Sequence, residues 1–127
     1  MGQQYPGAKK ILLVDDDETH LELYGDILAH NGYEIVTAKS AQEAFELLKK
    51  QSVDLVVLDI RMKGLCGLDA LKILDRDHRL VPVILHTGFN YKDDADSGLA
   101  DAYVTKSMTG TELMQAIGEV LHRYGRL

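Results

Sequence analysis

Short apolar runs alternate with amphipathic stretches along the whole chain. The runs are Ile11-Leu12-Leu13-Val14, Ile35-Val36, Leu55-Val56-Val57-Leu58, Val81-Pro82-Val83-Ile84-Leu85 and Ala102-Tyr103-Val104. They are brief, aliphatic or β-branched, and largely lack alternation, as expected of strands covered on both faces. Pro82 has no N–H to give and belongs near a strand start or an edge. Between the runs, apolar residues recur at helical spacing. The stretch from about Glu18 to Asn31 carries Leu21, Tyr24, Ile27 and Leu28 and stops before Gly32, a residue suited to the left-handed C-terminal position. Ser40-Ala41-Gln42-Glu43 reads as a capping box, opening a helix with Ala44, Leu47 and Leu48 inward. Gly67 precedes a helix with Leu68, Leu71 and Leu74 on one face. Thr109-Gly110-Thr111-Glu112 reads as a second capping box, ahead of the stripe Leu113, Ile117, Val120, Leu121 and Tyr124. The fourth crossover, from Gly88 to Asp101, has few apolar residues and supports only a short or irregular helix.

Strands alternating with helices imply right-handed βαβ crossovers and a parallel sheet. The fold expected is α/β, a doubly wound five-stranded parallel sheet in a single domain over residues 9–127, with residues 1–8 as a flexible lead-in. The 127 residues and 46% apolar content suit one buried core. An excess of 20 acidic over 14 basic residues, net −6, speaks against nucleic acid or an anionic membrane as partner. The lone Cys66 cannot form an internal disulfide, and no apolar run approaches the roughly 20 residues of a membrane helix. With no apolar signal segment in residues 1–10, a cytoplasmic location is expected.

In parallel sheets, ligands bind outside the C-terminal strand ends. Strand one ends in Asp15-Asp16-Asp17, strand three in Asp59, strand four in Thr87-Gly88 and strand five in Thr105-Lys106. Carboxylates gathered at one rim raise one another's pKa unless a cation neutralises them. Clustered oxygen ligands suit Mg²⁺, and a lysine and a threonine beside it suit a phosphoryl group. Asp15, Asp16 and Asp17 each have capping of the first helix as an alternative role. Asp59, directly after Leu55–Leu58, is poorly placed for one.

These residues resemble the receiver domain of two-component response regulators, a (βα)5 flavodoxin-like or CheY-like fold. The resemblance spans about residues 9–124. It rests on Ile11–Glu18, Asp54–Met62, Gly67–Leu71, Pro82–Gly88 and Ala102–Lys106. It implies that Asp59 is the phosphoacceptor and that Asp16 and Asp15 serve Mg²⁺ (or Mn²⁺), Asp16 directly and Asp15 mainly through water. Arg61 would give the metal its backbone carbonyl. Thr87 and Lys106 would bind the phosphoryl oxygens, and Tyr103 would be the aromatic switch residue. The implied partner is a histidine kinase or histidine phosphotransfer protein, with a phosphorylation-dependent homodimer as a further mode and the downstream effector unassigned.

Several positions depart from the family pattern. Ser107 follows Lys106 where the family has a proline after a cis bond, so a trans peptide and an altered loop are expected. Lys63 stands where a proline is common. Thr87 and Lys106 are 19 positions apart, about three fewer than usual, and the shortage falls in the fourth crossover. His86 replaces an apolar residue and is expected to be buried and hydrogen-bonded. Arg61 and Phe89 are large residues flanking the path of hydrolytic water in the family, which predicts slow loss of phosphate.

The rival reading is an enzyme. Ile11–Thr19 also resembles the hhhhDxDxT motif of haloacid-dehalogenase-type phosphatases, with Asp15 as nucleophile and Asp17 as acid/base. No aspartate follows Lys106 to complete that metal site, and Asp59 would be idle. An unphosphorylated interaction domain with the same fold is the second alternative.

Overall fold

The structure, a computed structural model, describes residues 8–61, 67–77, 80–88 and 99–125, with only the backbone given at 67 and 68. The elements in chain order are β1 (Lys10–Val14), α1 (Glu18–His30), β2 (Glu34–Ala38), α2 (Ala41–Lys50), β3 (Leu55–Leu58), α3 (Gly67–Asp77), β4 (Val83–Thr87), β5 (Ala102–Thr105) and α4 (Thr111–Arg123). The strands form one parallel sheet in the order β2-β1-β3-β4-β5. This is the doubly wound α/β fold expected. The helix expected in the fourth crossover falls on residues 89–98, outside the described residues, as do most of the lead-in, Lys63 and Cys66.

The period of two along each strand divides the core. Leu12, Val14, Val56, Leu58, Val83 and Leu85 point to one face, where Ala41 and Ala44 of α2 and Ala70, Leu71 and Leu74 of α3 cover them. Ile11, Leu13, Leu55, Val57, Ile84 and Val104 point to the other, under Leu21, Tyr24 and Leu28 of α1 and Leu113, Ile117, Val120 and Leu121 of α4. Burying a side chain of this size contributes roughly 1.5–3 kcal/mol. The three central strands are buried nearly throughout, whereas the edge strands β2 and β5 are half-buried, which accounts for the shorter apolar runs there. Among the described residues, no helix is long and apolar enough to cross a membrane.

Local signals set the boundaries. Strand β4 starts at Val83, later than the apolar run, because Pro82 cannot donate and only its carbonyl joins the ladder, accepting from Val56 N–H at 2.9 Å. Helix α1 ends as read, at Asn31 followed by Gly32 with φ 91°. Ser40 caps α2, its Oγ accepting from Glu43 N–H at 3.1 Å, while the Glu43 carboxylate accepts from Lys39 N–H at 3.3 Å. The second capping box is not formed. The cap of α4 is Gly110, at φ 67°, with no side-chain hydrogen bond. The apolar stripe of α4 ends at Leu121, and Tyr124 is 39% exposed, its hydroxyl donating to Asp101.

Gly110 illustrates why the backbone overrides that motif. A Cβ there would meet Ile27 Cδ1 at 3.1 Å, on a backbone that L-residues rarely adopt. Gly118, inside α4, has open space around it. Gly110→Ala is expected to destabilise by about 1–2 kcal/mol, and Gly118→Ala to stabilise by about 0.5–1 kcal/mol, in urea unfolding. Equal effects of the two changes would contradict this account of α4.

Candidate functional site

The C-terminal ends of β1 and β3 are held side by side by the ladder. Asp59 N–H donates to Val14 O at 3.0 Å, and Asp15 N–H to Ala38 O at 3.1 Å, so each aspartate extends its strand by one paired residue. Their carboxylates are thereby fixed at one rim and buried, at 7% and 4% exposure. Asp16, the next residue, lies further toward solvent. One carboxylate oxygen from each of Asp15, Asp16 and Asp59 lies within 4.8 Å of the others. Such a set of hard oxygen donors fits a small divalent cation.

Lys106, just beyond β5, reaches into this group. Its Nζ lies 2.6 Å from Asp15 Oδ2 and 3.1 Å from Asp59 Oδ2. The altered loop does not pull it away. The described peptides are all trans, and the Tyr24 hydroxyl of α1 donates to Ser107 O at 2.9 Å. Burial works against the Lys106 charge, but the hydrogen bond to Asp15 and the nearby Asp59 outweigh it and raise its pKa. Burial raises the pKa of Asp59; Lys106 pulls it back, Asp15 pushes it up, and the net shift is upward.

Thr87 ends β4, fully buried, and its carbonyl accepts from Lys106 N–H at 2.9 Å, which ties the two strand ends together. Arg61 is exposed, and its N–H donates to Asp59 Oδ1 at 3.1 Å. Tyr103 is half-buried in β5 and packs against the core on the α2–α3 face. Phe89 lies outside the described residues. Asp17 is not part of the metal-ligand set. It is the N-cap of α1, its Oδ1 accepting from Thr19 N–H at 2.9 Å, so of the three consecutive acids the third serves the helix. Asp101, at the start of β5, is likewise structural: its Oδ2 accepts from Val83 N–H at 2.8 Å.

Sequence reasoning missed two residues of the site, His20 and Tyr24. His20 Nδ1 lies 2.8 Å from Lys106 Nζ. Tyr24, one turn further along α1, holds the Ser107 carbonyl and meets His86 edge-to-face with ring centroids 4.5 Å apart. The signal available was the inward face of α1, which begins at the rim. His86 is buried as expected, but its Nε2 has no hydrogen-bond partner among the described residues, where a hydrogen-bonded ring was expected. It fills the space between β4 and Tyr24 as an aromatic ring.

A family model described as the response regulator receiver domain matches residues 11–118. The polar-differentiation response regulator DivK of Brucella ovis is 30% identical over 119 residues, which cover 90% of this chain and 97% of DivK. The response regulator TrrA of Thermotoga maritima, solved in complex with Mg²⁺-BeF, superposes with a TM-score of 0.86 at 37% identity over 89% of this chain and 99% of TrrA. TrrA in complex with the histidine kinase ThkA superposes with a TM-score of 0.84 at the same 37% identity, covering 89% of this chain and 98% of TrrA. A CheY-like receiver domain protein of Methanospirillum hungatei gives a TM-score of 0.84 at 27% identity, over 94% and 98% of the two chains.

Burial, reinforced by the Lys106 ammonium, lowers the His86 pKa to about 3. Between that value and roughly 6.5, the unfolded chain binds a proton here that the folded chain does not, so stability rises with pH through this window. Lowering the pH from 7 to 5 should cost the wild-type protein about 2 kcal/mol more than His86→Leu. Parallel stability–pH profiles for the two proteins would show that His86 is not held neutral.

Proposed function

The chain belongs to the response regulator receiver domain family, and from that premise we propose that it is a phosphoacceptor switch whose Asp59 takes a phosphoryl group from a histidine kinase or histidine phosphotransfer protein. The observation that carries this reading is the meeting of Asp15, Asp16, Asp59 and Lys106 at one rim. Asp59 is buried but open to the rim and held by Arg61 N–H and Lys106 Nζ, one on each oxygen. Its carboxylate forms an acyl-phosphate O–P bond as the donor's P–N bond breaks, and the electron pair returns to the imidazole nitrogen. Asp15, Asp16, the Asp59 carboxylate and the Arg61 carbonyl are the groups that would hold Mg²⁺. When bound, that ion supplies positive charge against the incoming phosphoryl oxygens.

Lys106 and the Thr87 hydroxyl then take up the phosphoryl oxygens. Both stand at strand ends joined by the Lys106 N–H to Thr87 O bond, so a pull on one is felt by the other. Tyr103, on the same strand as Lys106 and only half-buried, is the side chain that reports the change to a partner. Arg61 and, from the family resemblance alone, Phe89 are the residues expected to slow the loss of phosphate. The domain is regulatory and works in the cytoplasm; its only chemistry acts on itself. The phosphatase alternative needs Asp17 as an acid/base, yet that carboxylate accepts backbone N–H bonds at the start of α1.

Incubation with Mg²⁺ and acetyl phosphate is expected to add one phosphoryl group to the peptide bearing Asp59, detected by mass spectrometry. Asp59→Asn should abolish the addition. Covalent phosphate that survives Asp59→Asn and is lost in Asp15→Asn would establish the phosphatase reading instead. No phosphoryl addition to the wild type would favour an unphosphorylated interaction domain.

A further inference from the structure

The Lys106 ammonium has three N–H bonds and no lone pair. It is 11% exposed, and three acceptors surround it: Asp15 Oδ2 at 2.6 Å, His20 Nδ1 at 2.8 Å and Asp59 Oδ2 at 3.1 Å. Because an ammonium only donates, His20 must present a lone pair at Nδ1, and the ring is the neutral tautomer with its proton on Nε2. That nitrogen faces Asp17 Oδ2 at 3.7 Å, the free oxygen side of the helix cap. Tyr24 packs against the same ring, with centroids 6.1 Å apart and planes at 61°. The orientation of His20 is therefore set from two sides, by the cap of α1 and by the next turn of the helix.

We propose that His20 is a positioning residue that holds the Lys106 ammonium at the rim through a neutral acceptor. The inference rests on the phosphoacceptor reading for its functional consequence, but not for its geometry. The two carboxylate partners of Lys106 are the groups that change during the reaction. Asp59 loses its negative charge on the oxygen that becomes esterified, and Asp15 belongs to the metal-ligand set. His20 is neither esterified nor in the metal-ligand set, although its Nδ1 also lies 3.4 Å from Asp15 Oδ2. It leaves Lys106 one fixed contact while the ammonium turns from carboxylate oxygens to phosphoryl oxygens. A carboxylate in its place would add a negative charge to a rim that must accept phosphate, and an apolar residue would leave one N–H unpaired in a nearly buried site. Because the proline that usually follows the family's lysine is replaced by Ser107, the contacts from α1, His20 to Nζ and Tyr24 to Ser107 O, constrain the lysine from the side.

The test compares wild type, His20→Ala and His20→Asn, since an asparagine Oδ1 can stand near the position of Nδ1. In metal-free protein, hydrogen exchange of the Lys106 ammonium is followed by side-chain ¹H–¹⁵N NMR. In a second measurement, Mg²⁺ and beryllofluoride are titrated and the apparent affinity is read. His20→Ala is expected to speed ammonium exchange about fivefold and weaken beryllofluoride binding about fivefold, with His20→Asn restoring both to within about twofold of wild type. Unchanged exchange in His20→Ala, or an asparagine variant as impaired as the alanine one, would overturn the proposal. If the wild type itself fails to bind beryllofluoride, the phosphoacceptor reading falls, and the metal-free exchange comparison alone then decides the role of His20.

Discussion

Two carboxylates buried at the ends of adjacent strands cannot both stay ionised without a cation beside them. In this molecule the resident cation is the Lys106 ammonium, which bridges Asp15 and Asp59. Removing two anions and a cation from water carries a large desolvation penalty, and the short contacts only offset it. The arrangement is better understood as preparation for a reaction than as reinforcement of the fold. The Lys106 ammonium works against the burial that raises the Asp59 pKa, and the same ammonium is already within reach of whatever arrives on that carboxylate. The stability of the domain rests elsewhere, in the two apolar layers on either face of the sheet.

The topology makes this meeting unavoidable. With strand order β2-β1-β3-β4-β5, the winding reverses between β1 and β3, and ligands of such sheets bind outside the C-terminal ends at that point. Asp15 and Asp59 stand on the two sides of that point. Strands β4 and β5 bring Thr87 and Lys106 to the same edge in register, Thr87 opposite Thr105. Helix α1 completes the wall. It starts at the Asp17 cap, directs His20 toward Lys106 one turn in and Tyr24 toward His86 and Ser107 a turn later. Local capping, side-chain packing and the site are thus consecutive turns of one helix.

The apolar runs revealed the strands, because central parallel strands must be apolar on both faces, and the strand-end acids, threonine and lysine revealed the rim. What stayed hidden depended on quantities a one-dimensional pattern lacks. The three consecutive acids could not be divided between metal and helix without the backbone geometry that makes Asp17 the cap. Thr109 and Glu112 have the spacing of a capping box, but the close approach of α4 to Ile27 requires glycine and gives the cap to Gly110. His86 looked like a histidine in need of a partner, and what it meets is the Tyr24 ring, edge-to-face. His20 was invisible because its role depends on the rotation of α1 about its axis, which the apolar stripe fixes only approximately.

Lys106 is the cation that neutralises the rim before any metal arrives. The direct test of this is the Mg²⁺ affinity of Lys106→Met, measured without phosphodonor against wild type. Loss of the competing ammonium should leave Asp15, Asp16 and Asp59 to the metal alone and tighten Mg²⁺ binding by about tenfold, or about 1.4 kcal/mol. Affinity that is unchanged or weaker in Lys106→Met would show that the ammonium does not compete with the metal for the rim.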